Sequence, residues 1–151
     1  MPFSISRRAM LRAAAFALSL MAVAGAAAAD GIRPGSWKIT TRVMMNGQPV
    51  PPEVKSRCLS AEQAGDLKKT FGPEVGAMNT ECKNTENKLE QGRLNWHIQC
   101  RGQIDIDVSG DFTFESETRY TAVVATKAFM VGAKVADSTA AIEGEHAGAC
   151  P

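Results

Sequence analysis

From Ile104 to Glu115 the chain alternates without interruption, with Ile104, Ile106, Val108, Gly110, Phe112 and Phe114 on one side and Asp105, Asp107, Ser109, Asp111, Thr113 and Glu115 on the other. Successive side chains of a strand point to opposite faces, so this run can bury its apolar set only as an extended strand with one wet face. A slip of one residue would move the whole set into water, so the register is tightly specified. One dry face and one wet face is the habit of antiparallel sheets. Gly110, inside the apolar set, is expected to mark a bulge or bend.

Other segments follow the same rule. Trp37, Ile39, Thr41, Val43 and Met45 oppose Lys38, Thr40 and Arg42, and Asn46-Gly47 then signals a turn. Pro49, Pro51 and Pro52 lengthen the connection and mark an unpaired edge before Glu53 to Leu59 resumes an extended pattern. At Ser60 the period changes. Ser60 and Gln63 have the spacing of a capping box, while Ala61, Ala64, Leu67 and Phe71 form one helical stripe that Gly72-Pro73 stops. Residues 73–81 read as an irregular linker. Gln91-Gly92 turns the chain into a run alternating as Leu94, Trp96, Ile98 and Cys100. A further strand runs from Arg119 to about Phe129, and weaker extended segments follow between Ala133 and Ile142. The expected fold is mainly β: an antiparallel meander of about six or seven strands forming a curved sheet or partial barrel, with one short helix.

The cysteines are Cys58, Cys82, Cys100 and Cys150. In a hairpin turning at Gln91-Gly92, Cys82 and Cys100 fall opposite or nearly opposite each other on adjacent strands, within disulfide reach. Cys58 is then left for Cys150, although the count alone leaves the other two of the three connectivities open. Structural zinc sites take ligands as close Cys-x-x-Cys pairs, and no such pair occurs here, which also argues against a thiol redox motif. An even cysteine count fits an oxidising compartment.

The first residues fit that compartment. Arg7, Arg8 and Arg12 form a positive segment without acids, an apolar run follows from Ala13 to about Ala26, and Ala27 and Ala29 supply a small-residue cleavage pattern. The run falls short of the roughly 18 to 20 residues of a membrane-spanning helix. Residues 1–29 therefore read as a cleaved signal peptide and 30–151 as a single disulfide-stapled β domain, with no transmembrane anchor after cleavage and a periplasmic location. Ser6 to Arg12 fits the twin-arginine route as well as the general secretory one. No cysteine near the cut offers a lipid attachment point. The leader takes three of the 17 basic residues and none of the 16 acidic ones. The resulting slight acidic excess disfavours nucleic-acid partners.

Motifs for chemistry are sparse. Asp105, Asp107, Ser109 and Gly110 imitate the start of a calcium loop, but the twelfth position is Ser116 and the strict alternation demands a strand. His97 and His146 read as surface residues without a nucleophile nearby in sequence. Met44, Met45, Met78 and Met130 are soft-metal donors in principle but lack ligand spacing. No catalytic residue, metal or cofactor is expected. An enzyme or enzyme inhibitor would require Asp105, Asp107, His97 or His146 to gather in one pocket.

The ordered landmarks Pro34-Gly35-Ser36-Trp37-Lys38-Ile39, Pro49 to Pro52, Cys58-Leu59-Ser60, Cys82, Leu94-Asn95-Trp96 to Cys100, Gly102, Gly110-Asp111-Phe112 and Gly144 to Cys150 span nearly all of the mature chain. In these it resembles the exported bacterial proteins of domain of unknown function 3617 (DUF3617). Between Lys127 and Glu143 it is leaner in methionine and glycine than those relatives. The resemblance implies export, two disulfides and a β-rich fold, and brings no activity with it. The expected role is a periplasmic, non-enzymatic binding or interaction module whose partner is a small apolar molecule or an envelope protein. A structural or stress-related envelope role is the alternative.

Overall fold

A computed structural model describes residues 31–73 and 81–151. The signal segment and Met78 lie outside the described residues, as does nearly all of the stretch read as a linker. The chain forms β1 (Gly35–Met45), β2 (Gln48–Pro49), β3 (Glu53–Leu59), α1 (Ala61–Gly65), α2 (Leu67–Phe71), β4 (Glu81–Glu90), β5 (Arg93–Arg101), β6 (Asp105–Ser116), β7 (Arg119–Met130) and β8 (Ala133–Gly148).

These strands make one antiparallel, unclosed eight-stranded sheet in the order β2-β1-β8-β7-β6-β5-β4, with β3 also paired to β1. From β4 to β8 it is a meander. The first long strand then pairs with the last, from Ser36 opposite Gly148 to Met45 opposite Ser138. β3 lies along the other side of β1, with Leu59 opposite Gly35 and Glu53 opposite Thr41. β8 is the longest strand at 16 residues, where the sequence showed only weak extended signals.

Three tight turns with positive φ join neighbouring strands. Asn46-Gly47 and Gln91-Gly92 have φ values of 47° and 79°, and 50° and 71°. These left-handed pairs match the twist of the strands they join. Val131-Gly132 makes the third, with φ of 50° and 78°. Cys82 and Cys100 are register partners and are disulfide-bonded, with 4.0 Å between their Cα atoms. The second bridge joins Cys58 and Cys150. Since Cys58 faces Ser36 and Ser36 faces Gly148, this bridge reaches over β1 from β3 to the segment after β8.

The helical stripe is split in two. Ser60 caps α1 as expected: its hydroxyl accepts from the Gln63 amide at 3.2 Å, and the Gln63 side chain accepts from the Ser60 amide at 2.9 Å. Asp66 leaves the helical region at φ −114° and ψ 78°, then caps α2 by accepting from the Lys69 amide at 3.0 Å. An aspartate satisfies a fresh helix start better than a helix interior. Ala64, Leu67 and Phe71 still reach the core.

That core lies on the inner face, where Trp37, Leu59, Leu94, Trp96, Phe112, Phe114 and Tyr120 are buried with the helical residues. Phe71 sits 5.0 Å from Tyr120, 5.4 Å from Phe114 and 5.5 Å from Phe112, ring centre to ring centre. Gly110 serves this core differently from the expectation. The β5–β6 and β6–β7 registers run through it without a shift, so it makes no bulge. Instead the Trp96 indole lies over it: a Cβ there would stand 2.2 Å from Trp96 Cε2. Gly144 similarly carries the Tyr120 ring, with a Cβ 2.0 Å from Tyr120 Cε1.

Gly110→Ala and Gly144→Ala are each expected to destabilise the protein by at least about 1 to 3 kcal/mol, the usual cost of overpacking. Gly65→Ala, on a helix with nothing within 4 Å of its added methyl, is expected to raise stability by up to about 1 kcal/mol. Denaturant unfolding of the three variants checks this ranking.

Candidate functional site

The strand pleat and register set out the inner face row by row. Leu94, Phe112, Ala122, Ile142 and Thr41 stand side by side across β5, β6, β7, β8 and β1. Trp96, Gly110, Val124, Ala140 and Val43 form the next row, and Ile98, Val108, Thr126, Ser138 and Met45 the one beyond. Across these five strands the inward positions carry no charge. Charged residues enter only at the rim, where Glu53, Lys55 and Arg57 of β3 stand on the side of Trp37 and Ile39.

Burial divides the face. Towards β5 and the helices, Leu94, Trp96, Ile98 and Phe112 are buried. Towards β7, β8 and β1, Val124, Thr126, Ala128, Ala136, Ser138, Ala140 and Val43 are only half-buried, and Met45 is exposed. The side chains of this second region are mostly Ala, Ser, Thr and Val, short enough to leave a low floor beside the tall aromatic cluster. An apolar surface of this shape has room to accept another apolar body.

Tyr120 stands at the boundary. Its ring packs 5.5 Å from Trp37, and burial pushes its hydroxyl from 10.0 up to about 12, opposed by the positive charge of Arg57. Neither residue stood out in the sequence as a site candidate. The signal available for Tyr120 was its place in the β7 alternation with Ala122 and Val124.

The residues singled out for chemistry are dispersed. Asp105, Asp107 and Asp111 lie along the outer face of β6 at alternate positions, so the calcium-like run is drawn out along a strand. Such positions are about 7 Å apart, too far to converge as calcium ligands. Asp105 accepts from the Gly102 amide at 3.2 Å, Asp107 pairs with Arg101 at 3.3 Å, and Asp111 accepts from Asn95. His97 sits between register partners Ser109 and Glu86 in a shallow outer-face depression of about 380 Å³. Its Nδ1 meets the Thr85 hydroxyl at 3.0 Å. Among the described residues no side-chain hydrogen bond joins it to Ser109 or Glu86. His146, half-buried like His97, lies edge-on to Trp37 at 5.6 Å, with Nε2 3.1 Å from the Pro34 carbonyl oxygen. Among the described residues no three His, Cys, Asp or Glu side chains are grouped to hold a metal ion. No helix among them is long and apolar enough to cross a membrane.

Tyr120 makes a prediction about alkaline stability. Its folded-state pKa is raised, so its contribution is complete below about pH 10 and is lost as the pH climbs towards 12. The unfolded chain releases this proton first. Because the chain has one tyrosine, ultraviolet titration should show a single phenolate transition near pH 12, and Tyr120→Phe should flatten the fall in stability between about pH 10 and 12.

Comparison with known proteins agrees with the sequence landmarks. No curated protein and no solved structure gives a match. Residues 32–150 match the family model described as "Protein of unknown function (DUF3617)", and the chain accordingly belongs to the DUF3617 family.

Proposed function

We propose that the mature protein is a periplasmic, non-enzymatic binding module that takes a small apolar, lipid-like molecule on the half-open part of its inner face. The observation that carries this reading is the uncharged floor across β7, β8 and β1, with Val124, Thr126, Ala128, Ala136, Ala140 and Val43 only half-buried beside a closed core. A face intended only for packing would be covered by the helices along its length. Here α1 and α2 anchor at the aromatic end, where Phe71 meets Phe112, Phe114 and Tyr120. A long apolar molecule laid along the floor would replace water there and gain the corresponding burial energy.

Export supports the same reading. The leader pattern and two disulfides suit a protein working outside the cytoplasm. Each bridge contributes about 2 to 5 kcal/mol in a domain of this size, which allows an apolar face to be held open without collapse.

A ligand at about one hundred times its dissociation constant should raise the thermal midpoint by about 10 °C. Envelope lipid extract added to the mature protein is expected to produce such a shift, and native mass spectrometry should identify the bound species. Thr126→Lys, which puts a charge in the centre of the floor, should abolish the shift while leaving the apo midpoint within a few degrees. An absent shift, together with an apo mass for protein purified from periplasm, would overturn the ligand reading.

A further inference from the structure

We propose that the end of the sheet carrying the β1–β2, β5–β6 and β7–β8 connections docks on a lipid bilayer, with Val131 as the leading side chain. The strand registers bring these connections to one end: Asp105 faces Phe129, and Met45 faces Ser138. Among the described residues, most of the exposed large hydrophobic side chains lie there, while Val54, Val123 and Val50, whose amide donates to the Val43 carbonyl, lie further back. Met44 and Met45 precede the first turn, Ile104 lies in the β5–β6 loop, and Met130, Val131 and Val135 lie at or beside the third turn. Scattered exposed apolar residues are ordinary, but their concentration on one end marks an interaction surface.

Val131 is the second and independent observation. It is 100 % exposed, and its φ of 50° places a β-branched residue in the left-handed region. Branching at Cβ makes that conformation an outlier. The equivalent positions of the other two turns hold Asn46 and Gln91. Val131 thus disfavours the isolated protein twice, through its backbone and through its contact with water. Removing the side chain from water offsets the second cost, and a strained residue at a tip points to use in a bound state.

The distribution of charge selects a bilayer as the occupant. Met130-Val131-Gly132-Ala133, Met44 to Gln48, and Gly102-Gln103-Ile104 carry no charge. Ionic side chains begin one step behind and are largely neutralised within the protein, Arg42 by Glu143 at 2.8 Å, Arg101 by Asp107 at 3.3 Å, and Lys134 by Asp137. Separate, uncharged turns suit a fluid hydrocarbon boundary, whereas a protein interface needs a continuous, complementary packed patch with hydrogen bonds. Pairing with a second copy through the sheet edges is opposed by Glu81, Lys83, Glu86 and Lys88 on β4 and by Glu53, Lys55 and Arg57 on β3. This inference does not depend on the ligand proposal, since Val131 and Thr126 occupy different parts of the protein.

Co-sedimentation of the disulfide-intact mature protein with phosphatidylethanolamine–phosphatidylglycerol vesicles tests it. Binding should persist from low to high salt, because apolar insertion is not screened. Val131→Asn should lower the partition coefficient by about tenfold, the share of one buried valine. The same substitution should raise the thermal midpoint, because asparagine suits this turn position, so lost binding could not reflect unfolding. Val123→Asn, on the outer face of β7, should leave partition unchanged. Absence of binding, equal binding by Val131→Asn, loss of binding in salt, or a vesicle-independent dimer that Val131→Asn dissolves would each overturn the proposal.

Discussion

The fold depends most on the contact between Trp96 and the end of α2. The Trp96 indole nitrogen donates to the Phe71 carbonyl at 2.9 Å, supplying a partner for one of the acceptors that every helix leaves open at its C-terminus. The contact works because Gly110 on the adjacent strand leaves the indole room to lie flat. It also fixes the position of Phe71, whose ring fills the space between Phe112, Phe114 and Tyr120. The half-covered inner face follows from this geometry, since the short helices are held at the aromatic end and leave the alanine- and valine-rich floor beyond them half-buried. Trp37 makes a comparable link at the other side, donating to the Arg33 carbonyl at 2.9 Å.

Much of this was legible in the sequence because strand alternation is a local signal. The runs led by Trp37, Leu94 and Ile104 each declared their inner face, and Gln91-Gly92 located a hairpin that made Cys82 and Cys100 neighbours. The capping box at Ser60 could be read for the same reason, since every partner lies within one turn. Other features depend on tertiary context. Gly110 resembled a bend in isolation, and only the Trp96 ring on the next strand explains it. Asp66 lay within a stretch that read as one helix, yet its side chain serves the start of a second helix.

The half-open floor was less legible than the core beside it. Ala136, Ser138 and Ala140 of β8 lack the branched and aromatic side chains that announce a strand. Those small side chains are also what keeps the surface low. The third turn was hidden for a related reason, because Val131-Gly132 departs from the Asn-Gly and Asp-Gly pairs that usually mark a hairpin. The outer face shows the opposite lesson. Asp105, Asp107 and Asp111 formed the most conspicuous motif in the sequence, and the pleat disperses them along a strand where each engages its own neighbour.

Pairing of β1 with β8 imposes an order of events on assembly. β1 can form its ladder with β3 as soon as both have emerged, but its other edge stays open until the last strand arrives to pair Ser36 with Gly148. The hairpin holding Cys82 and Cys100 needs no such wait, since its cysteines are 18 residues apart, against 92 for Cys58 and Cys150. Loop closure makes the short bridge the easier one to form. The native long bridge needs both neighbours to flank β1, so its oxidation records the meeting of the sheet's first strands with its last.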